Sequence, residues 1–210
     1  MTTPATVRAA HLTELPAVAE LLGNAFEHDP LVVAAVADAA DAAAARRAIF
    51  AITARSAHAH GAVLVAELDG RIVGAALIDD PLPSAVHGIV RRVVDGVRFL
   101  PLLTAVGVNG MRLLNDADLV GRRFAPSERH HVLLVVGVAA QLRGAGIGRL
   151  LVDATIARAS TSAGVRLETE NEGNVERYRR WGFLERGIQQ LGSVTVWGMF
   201  RPTIPSGETP

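Results

Sequence analysis

The sequence predicts a mixed α/β (α+β) fold, and three observations predict it. Asp69-Gly70 joins two Val/Ile-rich runs, Ala62–Leu68 and Arg71–Ile78, which is a strong short signal for a hairpin. His131–Val138 is nearly all apolar and suits a strand buried on both faces. Between and around these runs lie segments whose apolar residues recur at helical spacing.

Taken in chain order, Val7 and Ala9 suggest a short first strand. A helix is then expected from Thr13 as N-cap, with Pro16 in its first turn and Leu15, Val18, Ala19, Leu22 and Phe26 on one face. Glu27-His28-Asp29-Pro30 ends it, because the residue before proline avoids the helical region. The Ala-rich stretch Leu31–Ala45 reads as helical, and Ala42–Ala59 as a second helix ended by Gly61. Beyond the hairpin, Val86, Ile89, Val90, Val93, Val97 and Leu100 recur at helical spacing. Pro101 divides them from a second pattern over Leu102–Leu119, weakened by Gly107 and Gly110. After His131–Val138 come a glycine-rich turn, a helix marked by Ile147, Leu150, Leu151, Ala154 and Arg158, and a strand over Val165–Glu170. A helix over Glu172–Trp181, stopped by Gly182, precedes a closing pair of strands, Phe183–Ile188 and Val194–Arg201. One domain over 1–201 is expected, with 79–129 as a helical insert and 202–210 as a loose tail.

Composition excludes several chemistries. All 21 basic residues are arginine, balanced by 21 Asp and Glu, and there is neither lysine nor cysteine. A Schiff-base lysine, a Walker lysine, a cysteine nucleophile, disulfides and Cys-ligated metal are therefore ruled out. Balanced charge argues against nucleic acid as an obligatory partner. The start of the chain lacks a signal pattern, and Val132–Ala140 is far shorter than the ~20 residues of a spanning helix, so no membrane association and a cytoplasmic location are expected. No metal is expected either. His58 and His60 diverge on a helix, and His130 and His131 point to opposite faces of a strand.

The chemistry concentrates in the last third. In Gln141-Leu142-Arg143-Gly144-Ala145-Gly146-Ile147-Gly148-Arg149, glycines let successive N–H groups converge, and the following helix adds its positive end. This combination holds a pyrophosphate without lysine, although a glycine-rich turn that binds nothing has the same look. The Rossmann spacing fails because Leu151 stands where its third glycine belongs. The next strand ends in Glu168-Thr169-Glu170-Asn171, followed by Tyr178, the only tyrosine, and Gly182-Phe183.

Arg143-x-x-Gly146-x-Gly148 followed by Asn171-x6-Tyr178-x3-Gly182-Phe183 resembles the GNAT family of acyl-CoA N-acyltransferases. The phrase Leu167–Val175 is similar to the actinobacterial branch that includes puromycin N-acetyltransferase. The likeness covers Val132–Phe183 specifically and Val7–Ile78 more loosely. One departure is Ala140, where the family often has a proline that stiffens the turn. The resemblance implies a mostly antiparallel sheet splayed between His131–Val138 and Val165–Glu170, with a helical insert before the first of these strands.

It also implies acetyl-CoA as co-substrate and a role for each matching residue. Backbone groups of Val136, Gly137 and Val138 would pair with the pantetheine arm, Gly137 serving as a bulge or close-approach position. The amides of Arg143, Gly144, Ala145, Gly146, Ile147, Gly148 and Arg149 would hold the pyrophosphate. Asn171 would bond the pantetheine amide, or cap the following helix, or both. Tyr178 would be the general acid toward the coenzyme sulfur, since a phenol stays protonated at neutral pH. Glu168 is the first candidate for general base. Glu170 shares its face, and His130 and His131 are alternatives. Glu27, His28 and Asp29 would border the acceptor site with His130, and an acidic loop suits a cationic amine.

The function expected is direct transfer of an acetyl group from acetyl-CoA to a primary amine of a small molecule, by a monomer or homodimer. A protein N-terminus or lysine as acceptor, or a non-catalytic acyl-CoA sensor, are the alternatives.

Overall fold

Seven extended segments pair in the order β1-β2-β3-β4-β5-β7-β6 in a computed structural model that describes residues 4–81 and 100–203. They are β1 (Thr6–Ala9), β2 (Gly61–Leu68), β3 (Arg71–Asp79), β4 (His131–Val138), β5 (Gly164–Thr169), β6 (Leu184–Leu191) and β7 (Val194–Pro202). Every neighbouring pair is antiparallel except β4 and β5, which run parallel. The hairpin between β2 and β3 turns at Asp69 (φ 49°) and Gly70 (φ 75°), the two left-handed residues that match a turn to the twist of its strands.

Among the described residues, six helices surround the sheet: α1 (Leu15–Ala25), α2 (Pro30–Ala35), α3 (Ala42–His60), α4 (Leu100–Phe124), α5 (Ile147–Arg158) and α6 (Glu172–Arg180). Two expectations about helix starts are corrected. Thr13 caps nothing; Leu12–Glu14 forms a 3₁₀ turn, and α1 begins at Leu15. The Glu14 carboxylate tightens this turn by accepting from His11 N (2.8 Å) and from both terminal nitrogens of Arg8 (2.8 Å each). The stretch Leu31–Ala45 is not one helix. Asp29 accepts from Leu31 N and Val32 N (3.1 Å each) and starts α2, while Asp41 accepts from Ala44 N (2.9 Å) and starts α3. An aspartate that bonds the amides ahead of it favours the end of a helix over its interior.

In α4 the weakness at Gly107 is a kink, with φ 70° and ψ 179°, and the helix continues to Phe124. Gly110 lets it press on α2, since a Cβ there would collide with the Ala35 carbonyl. The helix expected over Val86–Leu100 lies, up to its last residue, outside the described residues.

One sheet face is covered by α1 and α3, through Leu15, Val18, Leu22 and Phe50 against Val63, Val65, Ala75 and Leu77. The other is covered by α5 and α6, through Ile147, Leu151, Val152, Val175 and Tyr178 against Ile78, Leu133, Val165, Leu167 and Met199. The α4 helix joins the first face further along the sheet, seating Val120 on Val194 and Val196 of β7. Among the described residues, no helix is long and apolar enough to cross a membrane.

Candidate active site

The site begins with a defect in the sheet. β4 and β5 pair only from His131 to Leu133 against Val165 to Leu167, while β4 runs on to Val138. Among the described residues, no strand lies beside the β5-facing edge of β4 beyond Leu133. The register against β3 slips between Leu77 and Ile78, which leaves Leu134 as the extra residue. The bulge is therefore at Leu134, and Gly137 is a close-approach position. A Cβ on Gly137 would stand 2.7 Å from Leu22 Cδ2 and 3.2 Å from Phe26 Cε2, so α1 can lie on β4 only because no side chain intervenes.

The gap opens into a cavity of about 630 Å³. Its wall takes Ala25, Phe26, His28 and Asp29 from the end of α1 and the loop after it, and Val136–Val138 from β4. The rest comes from the loop before α5, the first turn of α5, and one side of α6. The two helical layers of the molecule thus meet at this cavity through the split in the sheet.

Gly144 (φ 86°) and Gly146 (φ 82°) line the cavity with nothing near their missing Cβ atoms, so the backbone angle rather than space requires glycine there. Gly146 is the N-cap of α5. The amides of Ile147, Gly148 and Arg149 have no acceptor within the helix and stand at its positive end, suited to an anion. Two of the expected amides are already used: Arg143 N donates to Ala140 O (3.3 Å) and Ala145 N to Leu142 O (3.2 Å). Ala145 is off the cavity wall.

The arginines of the loop also have protein partners. Arg143 Nη2 donates to Ala25 O (2.7 Å), tying the loop to the end of α1. Arg149 pairs with Asp153 (2.7 Å) and lies over the Trp181 ring, 5.5 Å from its centroid. Sequence reasoning missed Arg177 and Arg180, which add two more guanidinium groups to the wall, along with Asn174 and Trp181. A legible signal existed: Asn174, Arg177, Tyr178 and Trp181 follow an i, i+3, i+4, i+7 pattern and share one face of α6.

Asn171 is on the wall and caps α6, its Oδ1 accepting from Gly173 N (2.9 Å). Among the described residues its amide nitrogen has no acceptor, which leaves it available as a donor. Tyr178 is only 8% exposed and is held edge-on by Trp181 (5.6 Å) and Phe183 (5.5 Å). Among the described residues its hydroxyl has no hydrogen-bond partner. Burial pushes the phenol up to about 12, with Glu170 adding to the rise and Arg177 opposing it.

The acidic candidates separate. Asp29 and His28 are on the wall; Glu27 is exposed and reaches toward Arg46 at 3.5 Å. His130 lies off the wall, edge-on to Phe200, and its Nδ1 donates to Glu128 O (2.7 Å). Burial lowers its pKa. Glu168 also lies off the wall. It faces α4 at Gly121 and accepts from Arg166 Nη1 at 2.7 Å. Burial raises its pKa, and the Arg166 charge opposes the rise. Glu170 has no ion pair among the described residues. Burial raises it to about 8, helped by the carboxylates of Asp29 and Glu168 and opposed by its own amide. Asp29 is raised by burial, against the amides of Val32 and Leu31. Among the described residues, no three His, Asp or Glu side chains gather to hold a metal ion.

Known proteins match this arrangement. The family model described as Acetyltransferase (GNAT) family matches residues 36–183. No curated protein sequence matches the chain. Among solved structures, one described as histone acetyltransferase HPA2 and related acetyltransferase, from Corynebacterium glutamicum, superposes with a TM-score of 0.74 at 25% identity. The match covers 98% of this chain and 99% of that one. An apo mutant of agmatine N-acetyltransferase gives 0.62 at 18% identity, covering 95% and 100%. The protein yncA from Salmonella typhimurium, solved with its cofactor acetyl-CoA, gives 0.57 at 16% identity, covering 99% of each chain. At these last two identities the likeness is one of fold.

Proposed function

The chain belongs to the GNAT family of acetyltransferases, and on that premise we propose that it is an N-acetyltransferase that moves the acetyl group of acetyl-CoA to the primary amine of a small molecule. The observation that carries this reading is the one cavity shared by the glycine loop, the free edge of β4, Asn171, and the proton of Tyr178.

The residues suit acetyl-CoA part by part. The first-turn amides of α5 and four wall arginines, Arg143, Arg149, Arg177 and Arg180, suit the phosphates. The β4 edge at Val136–Val138 accepts an extended arm as an added strand, and the Asn171 amide supplies a further donor. Bound acetyl-CoA supplies a thioester whose acetyl group is transferred and whose sulfur leaves. Around it, backbone N–H near Val138 polarises the carbonyl, and Tyr178 Oη gives its proton to the departing sulfur. A phenol raised to about 12 is fully protonated at neutral pH and ready to donate. The cavity holds both partners together, and with no cysteine to carry an acyl group, direct transfer is the economical route.

The acceptor side favours a small cation. Asp29 on the wall supplies a carboxyl group, and α4, lying over β7 and against α2, narrows that face. An aminonucleoside of the puromycin type fits the phrase Leu167–Val175 and belongs in the first test panel. In that test, calorimetry with acetyl-CoA should show micromolar binding, and thiol release should appear with small primary amines. Absence of acetyl-CoA binding overturns the reading. Turnover confined to peptide N-termini or peptide lysines replaces the small amine with a protein acceptor.

A further inference from the structure

We propose that Phe26 sets which acyl group this site accepts, its ring closing the pocket behind the acetyl methyl and refusing longer chains. The proposal rests on the N-acetyltransferase reading above and deepens it, restricting the co-substrate to short-chain acyl-CoA.

Charge fixes which end of the coenzyme meets Phe26. The wall arginines and the first-turn amides belong to the loop before α5, to α5 and to α6. Across the sheet, the end of α1 and the loop after it contribute Ala25, Phe26, His28 and Asp29 to the wall, and no arginine. Phosphates therefore stay on the α5 and α6 side. An arm that follows the free edge of β4 then carries its acyl end through the split toward α1. On that side Asp29 suits the amine, and Ala25 and Phe26 are the apolar side chains left for the acyl methyl.

Distances put the ring against the strand at this point. A Cβ built on Gly137 would stand 3.2 Å from Phe26 Cε2 and 3.2 Å from Ala25 Cβ. The last turn of α1 thus lies directly on the backbone between Val136 and Val138, the stretch suited to the arm. Both residues also reach the cavity.

The ring is held in place from three directions. Phe26 N donates to Leu22 O at 3.0 Å and closes α1. The half-buried ring leans on Phe50, itself only 3% exposed, with centroids 5.1 Å apart and planes at 47°. One residue earlier, Ala25 O accepts from Arg143 Nη2 at 2.7 Å, which ties the helix end to the glycine loop. A wall packed this way does not yield to an extra methylene without cost. Behind it the structure is apolar, with Leu22, Phe50 and Ala54 buried and Leu21 and Ala51 beside them. Removing the ring opens an apolar space that a longer acyl chain can fill.

Calorimetry with free CoA and with acetyl-, propionyl-, butyryl- and hexanoyl-CoA, on wild type, Phe26→Ala and Phe26→Leu, tests this without an acceptor amine. From acetyl- to butyryl-CoA the wild-type Kd should rise at least about tenfold, the scale of an apolar pocket refusing added methylenes. In Phe26→Ala the order should reverse, with butyryl- and hexanoyl-CoA bound at least as tightly as acetyl-CoA. Free CoA has no acyl group to meet the ring, so its Kd should stay within about twofold of wild type, which also reports folding. If Phe26→Ala does not bind free CoA, Phe26→Leu, which keeps an apolar contact to Phe50, should bring propionyl-CoA level with acetyl-CoA. A wild type that binds hexanoyl-CoA as tightly as acetyl-CoA overturns the assignment. So does a variant that binds free CoA normally yet keeps the wild-type order. A wild type that binds neither free CoA nor acetyl-CoA overturns the acetyltransferase reading itself.

Discussion

The two ends of the cavity are built by opposite means. The end at α5 is cationic and takes its backbone from one continuous stretch, Val136–Arg149, which supplies the strand edge, the loop and the helix start, with Arg177 and Arg180 of α6 adding charge. The end at α1 and α2 is acidic and is assembled from afar. Asp29 lines it, and Glu170, off the cavity wall and far away in the chain, is raised by the Asp29 charge. Backbone amides at a helix start can serve any phosphate, so recognition of that kind can be local. Reading a charged amine needs side-chain charges whose strength depends on what buries and pairs them. The comparison teaches that binding of acetyl-CoA should tolerate changes on the acidic side, and the chemistry should not.

The largest effect that can break this division is at the group between the two ends. Tyr178→Phe should lower kcat about 10²- to 10⁴-fold, with acetyl-CoA affinity nearly unchanged in calorimetry. Comparable loss of affinity and rate would show that the tyrosine serves packing instead.

Next comes the wall behind the acidic end. Gly121 of α4 leaves room for Arg166 Nη1 and Glu168 Cδ, each 2.8 Å from where a Cβ would stand. Gly121→Val should destabilise by about 1–3 kcal/mol through overpacking. That would appear as a fall in Tm of roughly 2–4 °C per kcal/mol. Acetyl-CoA binding by the folded fraction should stay intact.

On the cationic side, Gly146→Ala forces an L-residue to φ 82° at a cost of about 1–2 kcal/mol. Acetyl-CoA Kd should rise about tenfold while the pH profile of kcat keeps its shape. A shifted profile would mean that the loop reaches the proton chemistry.

The smallest effect is the most informative about the acidic end. Asp29→Asn preserves a good helix cap, so Tm should hardly move. Loss of the carboxylate removes a negative neighbour that raises Glu170, so the titration of Glu170 near pH 8 should move to lower pH when followed by NMR. The acceptor KM should rise by up to about fivefold, the scale of a partly exposed charge pair. A Glu170 titration that does not move would show that the two carboxyl groups do not interact.

Much of the fold was legible because local rules set it. The Asp69-Gly70 hairpin, the apolar β4, the αL glycine at Gly182 and the loop before α5 each follow from residues close together in sequence. Errors fell where local signals compete. Thr13 lost the cap to a turn tightened by Glu14 and Arg8, and alanine's helical preference over Leu31–Ala45 yielded to Asp29 and Asp41. At Gly137 the sequence leaves a bulge and a close approach open, because a strand glycine serves either purpose, and the structure shows the close approach. The observed bulge is at Leu134, a residue with no local mark of it.

Sequence alone determined the cationic half of the site. Positive φ at Gly144 and Gly146, the orphan amides of a helix start, and the one-face spacing of Asn171, Asn174 and Tyr178 are properties of short segments. Tertiary structure decided the acidic half. Glu168 and Glu170 are the same residue type on the same side of one strand, and nothing between them in the sequence tells them apart. Packing gives Arg166 to Glu168 beneath Gly121 and leaves Glu170 facing Asp29. The charge a carboxylate carries is set by its neighbours in space, and here the folded chain chooses them.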